Sequence, residues 1–181
     1  ECLRYSPYPR GASDAREAVA AHHTAQGASL RADAVVITAG TSEGYAHLFR
    51  LLADPGDRIL VPRPSYPLFE LLAGLESVEI DAYPLRFGRG RWHIDLPALE
   101  AAAADSRIRA VMTVNPNNPT GSLASADEVR ALRALCRKRG VALVSDEVFA
   151  AYRSGRARAD APGTLLPDVG AAEEGPLTLV L

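Results

Sequence analysis

Four short segments of the chain carry side chains suited to binding chemistry. Asp146 follows directly on an apolar run, Val141 to Ser145, which places its carboxylate in a partly buried setting that calls for a cationic partner. The plainer account is a turn or helix-cap aspartate, for which the adjacent Glu147 gives some support. Asn118 lies in Asn115-Pro116-Asn117-Asn118-Pro119-Thr120-Gly121, where prolines stiffen the loop, Gly121 lets it turn and the amide can donate a hydrogen bond. A proline-stiffened surface loop is the alternative. Gly40, Thr41 and Ser42 stand where an apolar run gives way to a helical pattern, so free backbone amides and two hydroxyls form a cradle for an anion such as a phosphate. Taken alone, a hydroxyl capping its own helix explains that segment better. Tyr66, in Pro64-Ser65-Tyr66-Pro67, offers an aromatic face for stacking or is an ordinary core tyrosine.

The elements that must position these residues can be read from periodicity. Ser13-Asp14 followed by Ala15 to Gln26 and then Gly27 predicts a helix with an acceptor-rich start and a glycine stop. The β-branched run Ala34 to Thr38 predicts a short buried strand. From Thr41 a second helix carries Ala46, Leu48, Phe49, Leu51 and Leu52 as a broad apolar face. Turn residues Asp54 to Asp57 precede a strand from Arg58 to Val61. Leu68 to Leu75 is helical, Ser77 to Tyr83 alternates as a strand, and Arg86 to His93 is an exposed loop or hairpin. Asp95 opens a helix through Ala104, and Arg109 to Val114 is the next strand. Ser125 and Glu128 make a capping box for a helix that stops at Gly140. Val141 to Ser145 and Leu177 to Leu181 are the last strands.

Strands alternating with helices along the whole length predict an α/β fold: three layers, a mainly parallel sheet with helices on both faces. Right-handed crossovers then put the loops after the strands along one sheet edge, where open α/β sheets bind ligands. All four chemically suited segments fall there.

Composition removes other classes. A chain of 181 residues, 48% apolar, can form one domain with a full core. A net charge of −2 with scattered arginines leaves no electrostatic footprint for nucleic acid. No apolar run approaches the ~20 residues of a membrane-spanning helix. Cys2 and Cys136, far apart, make no disulfide framework, so a cytoplasmic location is the expectation. His22 and His23 are neighbours on a helix and point apart, so no metal is assigned. A first residue that is Glu1 and an abrupt apolar end at Leu181 predict a piece of a longer chain.

The segments Asn115 to Gly121 and Asp146 to Phe149 together resemble the cofactor site of the class I/II aminotransferases, enzymes of pyridoxal phosphate fold type I. The resemblance runs from about Tyr5 to the final strand and corresponds to part of the large cofactor domain. It implies pyridoxal 5′-phosphate as cofactor. Gly40, Thr41 and Ser42 then hold its phosphate, Tyr66 stacks on its ring, Asn118 donates to its phenolic oxygen and Asp146 faces its ring nitrogen. Tyr5 looks like the tyrosine that reaches the phosphate of a neighbouring subunit in family dimers, although packing is the plainer role. Phe149 departs from the pattern, because many relatives carry a tyrosine there that donates a second hydrogen bond to the phenolic oxygen. Tyr152 lies three residues on.

The implied reaction moves an amino group between an amino acid and a 2-oxo acid, in a cytoplasmic homodimer of amino acid metabolism. Such enzymes need a Schiff-base lysine, and this chain has no lysine after Asp146. Its single lysine, Lys138, lies in Arg137-Lys138-Arg139-Gly140 at a helix end, where a cation complements the dipole and faces water. No catalytic residue is therefore assigned, and the 181 residues are expected to be inactive alone, with the lysine-bearing segment and the small domain outside them. The alternatives are a lyase or decarboxylase on the same fold, an aminotransferase-like effector domain of a transcription regulator, and a stand-alone domain that has lost catalysis.

Overall fold

The computed structural model describes residues 7–152, 161–166 and 175–181. Tyr5 and Cys2 lie outside them. The elements in chain order are α1 (Ser13–Ala25), α2 (Thr41–Leu52), β1 (Arg58–Arg63), α3 (Leu68–Leu75), β2 (Glu79–Gly88), β3 (Arg91–Ile94), α4 (Leu96–Ala102), β4 (Ile108–Val114), α5 (Ala126–Arg139), β5 (Ala142–Asp146) and β6 (Thr178–Val180). The strands form one sheet in the order β3-β2-β1-β4-β5-β6. Every pairing is parallel except the β2–β3 hairpin. Arg89 and Gly90 supply the two left-handed residues of its turn, which closes the segment read as a loop or hairpin.

Two apolar cores lie on opposite faces of the sheet, which makes three layers. Leu60, Val111 and Leu143 point to one face and pack with Leu99, Val129, Leu132 and Cys136 of α4 and α5. Their sequence neighbours Ile59, Val61, Ala110, Met112, Ala142 and Val144 point to the other and meet Tyr45, Phe49, Phe69 and Ala73 of α2 and α3. The central strands therefore read as unbroken apolar runs, because both of their faces are covered.

Local signals act as expected at most boundaries. The capping box at Ser125 and Glu128 forms in both directions, and Gly140 ends α5 in the left-handed conformation. Asp95 caps α4 by accepting from the Ala98 amide. At α1 the N-cap is Ala12, with no side-chain cap, so the acceptor-rich start does not do the capping.

Two expectations fail. Ala34 to Thr38 is not a strand: Ala32–Ala34 forms a 3-10 turn, and Val36 and Ile37 are 57% and 42% exposed. A β-branched run becomes a strand only beside a ladder partner, and no described strand lies next to this one; its Ile37 amide bonds the Arg10 carbonyl instead. The apolar face assigned to α2 is also too broad. Leu51 is 70% exposed, while Tyr45, which that face omitted, is buried.

Candidate functional site

The parallel strands end along one edge, and the loops that leave them lie side by side there. Val114 pairs with Asp146 across β4 and β5, and the Asn115 amide continues that ladder onto the Asp146 carbonyl at 2.8 Å. On the far side the Glu147 amide bonds the Leu181 carbonyl at 2.9 Å. Helix α2 starts at this edge too. Gly44 in its first turn is buried, and a Cβ there would come within 2.7 Å of Cδ2 of Leu181, so the helix start and the end of β6 lie in close contact and a larger residue would push the Leu181 side chain aside.

Asp146 is 5% exposed. Its Oδ1 accepts the Val148 amide at 3.0 Å, and its Oδ2 accepts the Tyr45 hydroxyl from α2. Among the described residues it has no ion pair. A buried carboxylate held by two neutral donors retains acceptor capacity and an uncompensated charge, which suits a cationic ring nitrogen. Burial, and then the negative charge of Asp146, push the Tyr45 phenol well above its ordinary value, so it stays protonated and donates.

The Asn115–Gly121 loop is braced by asparagines other than the one that sequence singled out. Asn115, fully buried, accepts from the Ala124 amide at 3.0 Å. Asn117 accepts from the Thr120 hydroxyl at 2.8 Å, and its carbonyl takes the Gly121 amide at 2.7 Å. Asn118 is thus left half-buried at the bend. The side-chain nitrogens of Asn115 and Asn117 and the hydroxyl of Ser65 are buried without a partner, and all three belong to loops at this edge.

Gly40 and Ser42 are exposed and Thr41 is half-buried, at a helix start with no side-chain cap. The hydroxyls do not cap α2, so its first-turn amides remain available to an anion. Glu43 turns back to accept the Ala39 amide at 2.6 Å. Tyr66 is 38% exposed, which makes it no core tyrosine. It packs edge-on against Phe69, and Phe69 against Tyr45, so an aromatic train joins the β1–α3 loop to the hydroxyl on Asp146. An open cleft of about 350 Å³ beside Tyr66 is lined by residues of Val61 to Glu70 alone and does not include Asp146.

The remaining sequence candidates are more exposed, and no contact joins them to Asp146 among the described residues. Phe149 is 39% exposed in the turn after β5 and packs against Tyr152, itself 80% exposed. Lys138 is exposed and bonds Glu100 at 3.0 Å on the α4–α5 side. Among the described residues no group of three or more His, Cys, Asp or Glu side chains is placed to hold a metal ion, and no helix is long and apolar enough to cross a membrane. Sequence reasoning passed over Tyr45. Its signal was present, since it lies four residues before Phe49 on one helical stripe, and a buried tyrosine needs a partner for its hydroxyl.

Residues 1–180 match the family described as aminotransferase class I and II. The chain belongs to the class I and II aminotransferases. Nicotianamine aminotransferase A of Hordeum vulgare is 38% identical over 142 residues, 77% of this chain and 30% of the barley protein. Among solved structures, the N-succinyldiaminopimelate aminotransferase of Mycobacterium tuberculosis superposes with a TM-score of 0.84 at 26% identity, over 98% of this chain and 45% of that one. A pyridoxal-phosphate-bound C–S lyase from Staphylococcus hominis superposes with a TM-score of 0.73 at 25% identity, over 81% of this chain and 38% of that one. This aminotransferase chain therefore has the fold type I large-domain architecture and spans about a third of the barley relative's length.

Proposed function

We propose that this chain is the cofactor-binding part of a pyridoxal phosphate-dependent aminotransferase that moves an amino group between an amino acid and a 2-oxo acid. The observation that carries the reading is Asp146: a buried carboxylate with neutral donors on both oxygens, at the edge where the Asn118 loop, Tyr66 and the uncapped α2 start converge. The donor set fits the group. The first-turn amides of α2 would hold its phosphate, Asp146 would pair with its protonated ring nitrogen, Asn118 would donate to its phenolic oxygen and Tyr66 would offer a face for stacking. Once bound, pyridoxal phosphate supplies an electron sink for the charge that develops at the substrate α carbon.

Lys138 faces solvent with its own carboxylate partner, so it does not serve as the covalent anchor. Without an anchor the contacts are modest: up to ~2 kcal/mol at the helix start, about 1 from stacking and roughly 1.5–3 at Asp146. Association itself costs at least about 4 kcal/mol. The 181 residues alone are expected to bind the cofactor at roughly tens of millimolar or weaker and to turn nothing over. The intact protein is read, on the family resemblance, as a cytoplasmic homodimer in amino acid metabolism. Size-exclusion chromatography with light scattering tests the dimer, and a monomeric intact protein would sink it.

The activity test uses the full-length protein, amino acid donors and 2-oxo acid acceptors, following the new 2-oxo acid by chromatography. Transfer that disappears in Asp146→Asn supports the proposal; full transfer by Asp146→Asn overturns it. The likeness to a C–S lyase keeps one alternative open on the same residues. Release of ammonia and pyruvate from a cysteine conjugate, without need of an acceptor, would favour it.

A further inference from the structure

Tyr45 is the least expected member of this edge. It is 2% exposed, sits on the α2 stripe that faces the sheet, and reaches a carboxylate 101 residues away. Its ring is fixed from two sides, stacked on Phe49 at 6.1 Å and edge-on to Phe69 at 5.3 Å. The hydroxyl is therefore delivered to one place by a packed core. With the Val148 amide on Oδ1 and the hydroxyl on Oδ2, both carboxylate oxygens of Asp146 are held and its plane is set. The neighbouring acid, Glu147, turns away: its Oε1 accepts the Leu165 amide at 2.7 Å and the Ser145 hydroxyl at 3.0 Å. Tyr66 is a further titratable group on this side, linked to Tyr45 through Phe69, and Glu43 in the first turn of α2 accepts the Ala39 amide.

We propose that Tyr45 is a positioning residue for the cofactor: its hydroxyl fixes the plane of the Asp146 carboxylate so that it faces the ring nitrogen, without touching the cofactor's phosphate. The proposal rests on the cofactor reading above. A donor on a carboxylate oxygen stabilises the anion, so the bond from the ring nitrogen stays charge-assisted. When the hydroxyl is lost, Asp146 keeps a single backbone donor among the described residues, and its carboxylate is free to turn away from the ring nitrogen.

The test compares two phosphate monoesters that bind without a covalent bond. Pyridoxamine 5′-phosphate carries the ring nitrogen and benzyl phosphate does not. Titrations of the full-length protein are followed by protein-observed 1H–15N NMR, reading the amides of Thr41 to Gly44 for the phosphate and of Val148 for the ring. Tyr45→Phe keeps the ring packing and removes the hydroxyl. It is expected to weaken pyridoxamine 5′-phosphate by about tenfold, the size of one hydrogen bond to a charged group, and benzyl phosphate by less than about twofold. In an Asp146→Asn background the same change is expected to add nothing. Equal weakening of both ligands, or of neither, overturns the positioning role while the cofactor cradle stands. If the unaltered chain does not distinguish the two ligands, the cofactor reading fails and takes this role with it. Tyr45→Leu repeats the comparison should phenylalanine disturb the fold.

Discussion

The two edges of the sheet treat charge in opposite ways. At the edge where the parallel strands begin, Asp57 bonds Arg109 at 2.8 Å, Arg58 meets Glu79 at 2.8 Å and Asp105 at 3.4 Å, and Arg107 pairs with Asp105 at 3.0 Å. Each charge there has a fixed partner of opposite sign. At the edge where the strands end, Asp146 has hydroxyl and amide donors only among the described residues, and three buried polar atoms on the nearby loops of Ser65, Asn115 and Asn117 have none. A protein that needed only stability would complete both edges. Incomplete pairing at one edge is the mark of a place where something else supplies the partner.

Asp146→Asn should show the contrast most strongly. Affinity for pyridoxamine 5′-phosphate should fall by roughly 10- to 100-fold, the equivalent of a charge-assisted hydrogen bond, with no loss of thermal midpoint. A midpoint well below that of the unaltered chain would mean that Asp146 is structural and the contrast false. Tyr66→Ala removes a half-exposed stacking face and should weaken the same ligand by about fivefold, an effect of about 1 kcal/mol, with the fold unchanged by circular dichroism.

At the opposite edge the pattern should invert. Asp57→Asn and Arg109→Ala should lower the thermal midpoint and leave the ligand titration where it was. The Arg109 guanidinium holds the Asp57 carboxyl below its ordinary value. A carboxyl depressed in the folded state contributes stability that is present above its unfolded value of about 3.9 and is lost as pH falls through the folded value. Arg109→Ala should therefore remove part of the stability at neutral pH and flatten the acid limb of the melting curve, measured between pH 7 and pH 2. The smallest effect should come from Lys138→Ala. An exposed ion pair contributes up to about 1 kcal/mol, and pyridoxal phosphate binding should not change at all. Any change in binding would put Lys138 back among the candidates for the anchor.

How much of this was legible in the sequence differs with the range of the interaction. The capping box at Ser125 and Glu128, the stop at Gly140 and the buried central strands are local patterns, and they are where periodicity and cap chemistry put them. The run Ala34 to Thr38 has strand composition but no strand beside it among the described residues, and pairing is a long-range fact. The site divides in the same way. Asp146 and the Asn118 loop stand out because an apolar strand ends in a polar residue. The bracing by Asn115 and Asn117 depends on where the chain turns next.

The sequence by itself determined the alternation of strands and helices, the edge on which the polar loops gather, and the family. Those follow from residue periods of two and 3.6 and from motifs a few residues long. Only the tertiary structure decided that Tyr45 meets Asp146 across 101 residues, that Phe149 lies toward solvent and that the start of α2 carries no side-chain cap. The physical reason is that a hydroxyl's partner is set by how helix α2 packs on the sheet, and no local period encodes a distance between two elements.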